Sequence, residues 1–191
     1  AGGFGKVIDL LMSMNPGDRT VVGGGTASAS GAALMNGTLS HALDYDDTHF
    51  GHIGHPSVAD FPAVLAAAEE VGAYIDALIC EASVGVEGSI GVGLRLGRDH
   101  YQIGYHQTAT AGAFGAALGV CRVLQLDPTQ VRHALGLAST MASGVKSQCG
   151  TMGKPLNAGL AARTGVEAAF WARAGMTSAA DGLDGPLGFS A

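Results

Sequence analysis

The stretch Asn36-Gly-Thr-Leu-Ser-His-Ala-Leu-Asp-Tyr-Asp-Asp-Thr-His49, followed by Gly51-His-Ile-Gly-His-Pro-Ser57, separates two segments of helical character. Before it, residues 29–43 have the composition of a helix, and after it Asp60 is suited to cap the next helix. The stretch itself has no hydrophobic period beyond residue 43 and contains Pro56, as is typical of a loop. We therefore predict two helices joined by a polar loop.

The same alternation of helix and polar loop continues along the chain. Apolar residues at helical spacing predict further helices over 4–14, 73–96, 109–124, 128–144 and 158–174. Asp127-Pro128 with Gln130 forms a capping box, a strong signal for a helix start. Segments 97–108 and 147–155 are predicted to be polar loops, and 19–28 an irregular link. Because no alternating strand of useful length is found, the predicted fold class is all-α, with antiparallel helices joined by functional loops.

Composition limits the classes of function. The 191 residues are 47% hydrophobic and only 14% charged, with 31 Gly, which is typical of a compact chain whose helices approach closely. The net charge is −6 and there is no basic tract, so nucleic acid is an unlikely partner. The apolar stretch 109–120 is too short and Gly-rich to span a membrane. The low charge also indicates that part of the surface is covered by further chain or by a partner subunit.

The cysteines give a weak indication of compartment. Cys80, Cys121 and Cys149 are widely spaced and form no zinc-binding pattern. Cys80 and Cys121 fall in apolar helical segments, and we expect them to be buried thiols. Free thiols fit a reducing environment, so the predicted localisation is cytoplasmic.

The polar loops carry groups suited to acid–base chemistry. Three carboxylates, four imidazoles and two aliphatic hydroxyls fall within residues 41–57. His55 is stiffened by the following Pro56, and a rigid imidazole near Asp44 suits proton transfer. His106 lies in the second loop, and Lys154, between a Gly and a Pro in the third, is suited to hold a carboxylate.

Other interpretations of these residues stay open at this point. Asp44-Tyr-Asp-Asp-Thr48 matches the DxDxT pattern of aspartate-nucleophile phosphatases, but no buried strand precedes it. A His/Asp cluster could bind zinc, iron or manganese and support a metal-dependent hydrolase, although no familiar metal signature is present. His41 could be a core or capping residue, His49 and His52 solvent-facing, and Lys154 an ordinary loop cation.

Five ordered motifs resemble the MmgE/PrpD family, and together they span nearly the whole chain. They are Asn36 to His49 with Gly54-His-Pro-Ser57; Gly104-Tyr-His-Gln-Thr-Ala-Thr-Ala-Gly112 with Phe114-Gly115; Leu124-Gln-Leu-Asp127 before Ala134-Leu-Gly-Leu-Ala138; Gly150-Thr-Met-Gly-Lys-Pro-Leu-Asn-Ala-Gly159; and Gly185-Pro-Leu-Gly-Phe189. The family includes 2-methylcitrate dehydratase, cis-aconitate decarboxylase and iminodisuccinate epimerase.

The resemblance implies a large helical domain, a smaller α+β lid domain and a homodimer. Residues 1–191 would be an incomplete helical domain, lacking the first helices, the lid and the C-terminal return. This agrees with a chain that begins without Met and ends in a loop at 185–189. Gly153 and Asn157 depart from the family pattern, since a hydroxyl-bearing or small branched residue and a His, respectively, are common there.

The resemblance also implies a reaction and its residues. The expected function is a metal-free, cofactor-free lyase that dehydrates or decarboxylates a small di- or tricarboxylate by proton transfer alpha to a carboxylate. An iminodisuccinate-type epimerase, an inactive fragment with a structural or dimerising role, and the metal-dependent hydrolase remain alternatives. The implied catalytic residues are His55, Asp44, His106 and Lys154, with Thr48, Lys154 and His106 binding substrate. His55 would transfer the proton, Asp44 would orient it, and Lys154 with an imidazolium at His106 would hold carboxylates.

Overall fold

The computed structural model describes residues 2–191, with the side chains of residues 2 and 75–77 outside the description. The predicted all-α class is confirmed, because helices account for the regular structure apart from one very short hairpin. The elements are α1 (Gly2–Met14), β1 (Arg19–Thr20), β2 (Thr26–Ala27), α2 (Ala29–Ser40), α3 (Ser57–Val71), α4 (Ile75–Gln102), α5 (Gln107–Thr110), α6 (Gly112–Val123), α7 (Pro128–Met141) and α8 (Gly153–Arg173). A 3-10 turn, Lys146–Gln148, precedes α8.

The hairpin lies in the segment predicted to be an irregular link. β1 and β2 pair antiparallel, with Arg19 opposite Ala27 and Thr20 opposite Thr26. The link is tied to the helices by side chains: Asn36 on α2 donates to the carbonyl of Thr20 at 2.9 Å. Each strand has only two residues, which is too short for hydrophobic alternation to indicate a strand in the sequence.

Helix α6 lies at the centre of the molecule and packs against α3, α4, α7 and α8. Its segment 112–117 is buried throughout, with Phe114 fully enclosed. Most of the buried core residues are alanines, so the helices are close together and the core is made of many small contacts. This packing fixes the helix ends from which the polar loops extend.

Helices α2 and α8 cross at two glycines. A Cβ added to Gly37 would lie 2.9 Å from the Cα of Gly159, and one added to Gly159 would overlap Leu34 and Thr38. Gly37 has a low helix propensity, but the close crossing with α8 requires it. Since α2 leads into the first polar loop and α8 follows the third, this crossing holds the two loops together.

The capping box at Asp127 is confirmed. Its side chain accepts hydrogen bonds from the backbone N–H groups of Thr129 and Gln130, at 2.8 and 3.0 Å. Gln130 returns the interaction by accepting from the Asp127 backbone N–H at 3.1 Å. The pattern thus marks the start of α7 correctly.

The predicted capping role of Asp60 is wrong. Helix α3 begins three residues earlier, at Ser57, and Asp60 lies in its first turn, fully buried. Its carboxyl accepts a hydrogen bond from Ser89 on α4, at 3.0 and 3.2 Å to the two oxygens. Burial raises the pKa of Asp60 well above its usual value, although the Ser89 hydroxyl opposes this.

Two other helix boundaries and one burial prediction also differ from expectation. Helix α4 continues to Gln102 across a break at Gly97, so much of the predicted 97–108 loop is helical. Helix α8 begins at Gly153, so Lys154 lies in its first turn and not in a loop. Cys121 is buried as predicted, but Cys80 is exposed. No helix in the described part of the chain is long and apolar enough to cross a membrane.

Candidate active site

The three polar segments meet at one cavity of about 340 Å³. His55 comes from the loop between α2 and α3, His106 caps α5, and Lys154 lies at the start of α8. All three line the cavity, together with Thr48, Arg98 and Tyr101. The structure therefore brings together residues that are up to about a hundred positions apart in sequence, in a volume typical of small-molecule sites.

Asp44 lies between two cationic groups at this site. One oxygen of its carboxylate is 2.5 Å from Lys154 Nζ and 3.5 Å from His55 Nε2. The hydrogen bond from Lys154 lowers the pKa of Asp44, although its partial burial opposes the effect. The Asp44 backbone has φ of 59°, in the left-handed region that Asp tolerates better than most residues. Asp44 is thus ionised and held in an uncommon conformation at the edge of the cavity.

Asp46 connects two imidazoles, a role the sequence did not distinguish. Its Oδ2 atom is 2.8 Å from His41 Nδ1 and 3.2 Å from His55 Nδ1. Burial alone would raise the pKa of Asp46, but the contacts with His41 and His55 lower it overall. The only sequence signal was its position two residues after Asp44, which gave it no role of its own.

His55 lies between both carboxylates. The contact with Asp46 raises its pKa, with a smaller contribution from Asp44 and opposition from burial. The His55 backbone N–H donates to Thr108 Oγ1 at 3.1 Å, which attaches the loop to α5. This arrangement favours the imidazolium form of a ring held in one place, as a proton donor requires.

His106 is a neutral hydrogen-bond donor. Burial, followed by the neighbouring His41 and Lys154, lowers its pKa to about 4. Asn157 Nδ2 lies 3.3 Å from His106 Nδ1 and 3.4 Å from the Val145 carbonyl, which can only accept. The amide therefore donates to Nδ1, and the ring proton sits on Nε2. An imidazolium at His106, as the resemblance implied, does not fit this environment. A neutral ring that carries its proton on Nε2 does fit it.

Several residues near the cavity differ from the sequence-based interpretation. Thr48 lines it as expected. His41 is buried in the charge cluster instead of being a simple core residue, and its ring centroid is 4.7 Å from that of His55. The prediction that His52 faces solvent is wrong, because its side chain is fully buried. Arg98 also lines the cavity, and no signal in the sequence distinguished it from the other polar residues of its segment.

The cluster also has the composition of a cation site. Ligand atoms of His41, Asp44, Asp46 and His55 all lie within 4.8 Å of one another. Lys154 Nζ, however, already contacts the Asp44 oxygen at 2.5 Å, so a metal ion bound there would meet a positive charge at close range. The set is better matched to ion pairs among its own side chains than to a metal ion.

Comparison with known proteins gives the family of this chain. The family model of the MmgE/PrpD N-terminal domain matches residues 7–191. Cis-aconitate decarboxylase from Homo sapiens is 33% identical over 168 residues, covering 84% of this chain and 34% of that protein. The enzyme of the same name from Aspergillus terreus is 35% identical over 170 residues, covering 84% of this chain and 35% of that protein. The chain spans about a third of the length of these relatives. On the extent of the family match and these identities, the chain belongs to the MmgE/PrpD family.

Proposed function

We propose that the chain forms the proton-transfer site of a lyase that acts on a small di- or tricarboxylate without a metal or cofactor. The observation that carries this proposal is the ion-paired sequence Lys154–Asp44–His55–Asp46–His41 at a cavity that also contains His106. It combines a proton donor with groups that bind carboxylates. Decarboxylation is favoured over dehydration, because the human and Aspergillus relatives are named cis-aconitate decarboxylase.

In a decarboxylation, the bond between the substrate carbon and one carboxylate carbon breaks, and CO₂ leaves. The electron pair of that bond moves into the remaining unsaturated acid, and a carbon alpha to a second carboxylate then takes up a proton. His55 would supply this proton from its imidazolium form, which Asp46 and Asp44 stabilise. Dehydration would start from the neutral form of the same ring, which would remove the alpha proton and then return a proton to the departing hydroxyl group, so that it leaves as water.

Lys154 and His106 would bind substrate carboxylates, with Thr48 adding a hydrogen bond. The Nε2–H of His106 would donate to an oxygen that gains charge as the bond breaks, and Lys154 would oppose that charge. Donors placed in advance at a developing negative charge commonly contribute about 2.7–4 kcal/mol each to lowering a barrier. Lys154 could contact substrate while remaining paired with Asp44, because an ammonium group has three donors.

Solvent-deuterium incorporation tests the proposal for decarboxylation and dehydration alike, since both transfer a proton at the alpha carbon. The purified protein would be incubated in D₂O with a panel of unsaturated and hydroxylated di- and tricarboxylates, and NMR would follow deuterium at the alpha carbons. We expect His55→Ala to lower the rate by about 100-fold or more, the range that a positioned acid–base group contributes. His133→Gln is the matched control, since His133 bonds Ser178 away from the cavity and its loss should leave the rate unchanged. Normal turnover by His55→Ala would remove the proposal.

The alternatives give different results in the same assays. An epimerase would exchange the alpha proton with inversion and lose neither water nor CO₂. A metal-dependent hydrolase would carry about one metal ion per chain by elemental analysis and lose activity with a chelator. A chain with only a structural or dimerising role would show no exchange. Light scattering tests the homodimer that we propose on the family resemblance.

A further inference from the structure

The motif at residues 185–189 does not line the cavity and has no part in the proposed proton transfer. Its backbone turns tightly, because the N–H of Gly188 donates to the carbonyl of Gly185 at 2.9 Å. A Cβ at Gly188 would lie 2.8 Å from the backbone nitrogen of Gly185, so the turn requires a glycine. The turn brings Phe189 against the core, where its ring centroid is 5.3 Å from that of Phe114.

The Phe189 ring also packs against His100, which lies in the last turn of α4, with 5.9 Å between the ring centroids. His100 in turn stacks on Tyr105, with centroids 4.4 Å apart and an angle of 10° between the planes. Burial lowers the pKa of His100, so the ring is neutral in neutral solution. His100 therefore connects the motif to the residue that directly precedes His106.

His100 also contacts the far end of α5. Its Nε2 atom is 3.0 Å from Oγ1 of Thr110, the last residue of that helix and a fully buried one. The Thr110 hydroxyl has a single proton, which it donates to the carbonyl oxygen of His106 at 3.4 Å. The hydroxyl must then accept from His100 Nε2–H. His106 thus lies in a short segment whose two ends, Tyr105 and Thr110, contact the same ring.

We propose that Phe189 and His100 are positioning residues that fix the direction of His106 Nε2–H in the cavity. The inference rests on the proposed function, in which this N–H donates to the substrate. Asn157, at 3.3 Å from His106 Nδ1, selects the tautomer. The place of the ring depends on the backbone of residues 105–110, which His100 holds at both ends. Because a misplacement of about 1 Å can cost roughly 100-fold in rate, this support outside the cavity matters for turnover.

Nitrogen NMR of the imidazole rings tests the positioning role without requiring turnover. Spectra of wild type, Phe189→Ala and His100→Ala would be recorded over a pH series, with the His106 signals assigned from a His106→Gln variant. Wild-type His106 should have a pKa of about 4 and carry its proton on Nε2. In both alanine variants we expect this pKa to rise toward 6.5, because a displaced ring is less buried. A mixture of tautomers should also replace the single form, because the Asn157 contact loosens.

Leu187→Ala is the matched control, because Leu187 belongs to the same motif and is fully exposed, so its loss should leave the His106 signals unchanged. Wild-type His106 signals in a folded Phe189→Ala or His100→Ala variant would overturn the inference. Phe189→Leu keeps part of the packing and His100→Gln keeps an N–H donor, so both should shift the signals less. These milder variants decide the question if the alanine variants do not fold, and wild-type signals in both of them would then overturn the inference.

Kinetics with a substrate found by deuterium exchange separate this inference from the proposed function. Phe189→Ala should lower kcat by about 10- to 100-fold and change KM less, because the His106 N–H matters most as charge develops on the substrate. Leu187→Ala should keep the wild-type kcat. A wild type that turns over, with unchanged kcat and His106 signals in Phe189→Ala, would overturn the positioning role and leave the proposed function standing. A wild type without exchange, whose His106 signals do move in Phe189→Ala, would overturn the proposed function and leave the coupling from Phe189 to His106 standing.

Discussion

His52 shows how a single buried residue supports the loop that carries His55. Its ring is fully enclosed, against Gly93 of α4 on one side and Gly54 on the other. Neither ring nitrogen has a well-directed hydrogen bond to another described residue. Burial, followed by the neighbouring His49, lowers the pKa of His52 to about 4. The His52 ring therefore packs like an apolar side chain, and the folded state favours its neutral form.

This neutral ring makes stability depend on pH. Above pH 6.5 His52 is neutral in both the folded and the unfolded chain, so it adds no pH dependence. As the pH falls from 6.5 toward 4, the unfolded chain binds a proton that the folded chain does not, and the free energy of unfolding should fall by roughly 3 kcal/mol. His106, with a pKa lowered to a similar value, adds a decline of the same sign. Urea unfolding at several pH values measures this slope, and His52→Leu should make it shallower; an unchanged slope would contradict the prediction.

His55 contributes to the pH dependence with the opposite sign. Its pKa is raised, so the stabilising contact with Asp46 is fully present below its unfolded pKa and is lost as the pH rises through the folded value. Asp46, with a lowered pKa, keeps its contribution until the pH falls far below neutrality. The ion pairs of the site therefore coexist in mildly acidic solution, where the proton donor is charged and its partners are ionised.

At the scale of the helices, local signals in the sequence were reliable only where the determining contacts are also local. The start of α7 was predicted correctly, because Asp127 and Gln130 satisfy each other within one turn. The start of α3 was missed, because Asp60 bonds Ser89 on another helix and not its own backbone. The break in α4 at Gly97 was taken as a helix end, although the chain resumes helical geometry after one residue.

Helix α4 offers a matched pair of glycines that tests its contact with the His55 loop. A Cβ at Gly93 would overlap the His52 ring, with 2.9 Å to its Cγ atom, whereas a Cβ at Gly91 would meet nothing within 4 Å. We expect Gly93→Ala to cost about 1–3 kcal/mol from overpacking. Gly91→Ala should stabilise by about 0.5–1 kcal/mol through its lower backbone entropy. Thermal unfolding should then show a lower Tm than wild type for Gly93→Ala and a higher one for Gly91→Ala. Equal Tm values for the two variants would contradict this packing.

At the scale of the whole molecule, the site depends on loops that converge from distant parts of the chain. Sequence periodicity placed His55, His106 and Lys154 in three polar segments but contained no information on their separation. The family resemblance implied that they share one active site, and in the structure all three line one cavity. Arg98 and the bridging role of Asp46 were missed, because both depend on three-dimensional contacts that neither spacing nor composition encodes.

The crossing of α2 and α8 connects global packing to the site, and one substitution tests that connection. A Cβ at Gly159 would overlap the Leu34 carbonyl oxygen and Thr38 Oγ1, so Gly159→Ala must push α2 away from α8. Asp44 follows α2 and Lys154 lies in the first turn of α8, so we expect the 2.5 Å contact between them to open along with a loss of about 1–3 kcal/mol of stability. Calorimetry measures the stability, and an NMR titration of the Asp44 carboxyl carbon should show its pKa moving back toward the ordinary value as Lys154 withdraws. Gly91→Ala is the control for an added methyl group in an open helical position. A Gly159→Ala variant with wild-type stability and an unchanged Asp44 titration would show that the crossing does not set the geometry of the site.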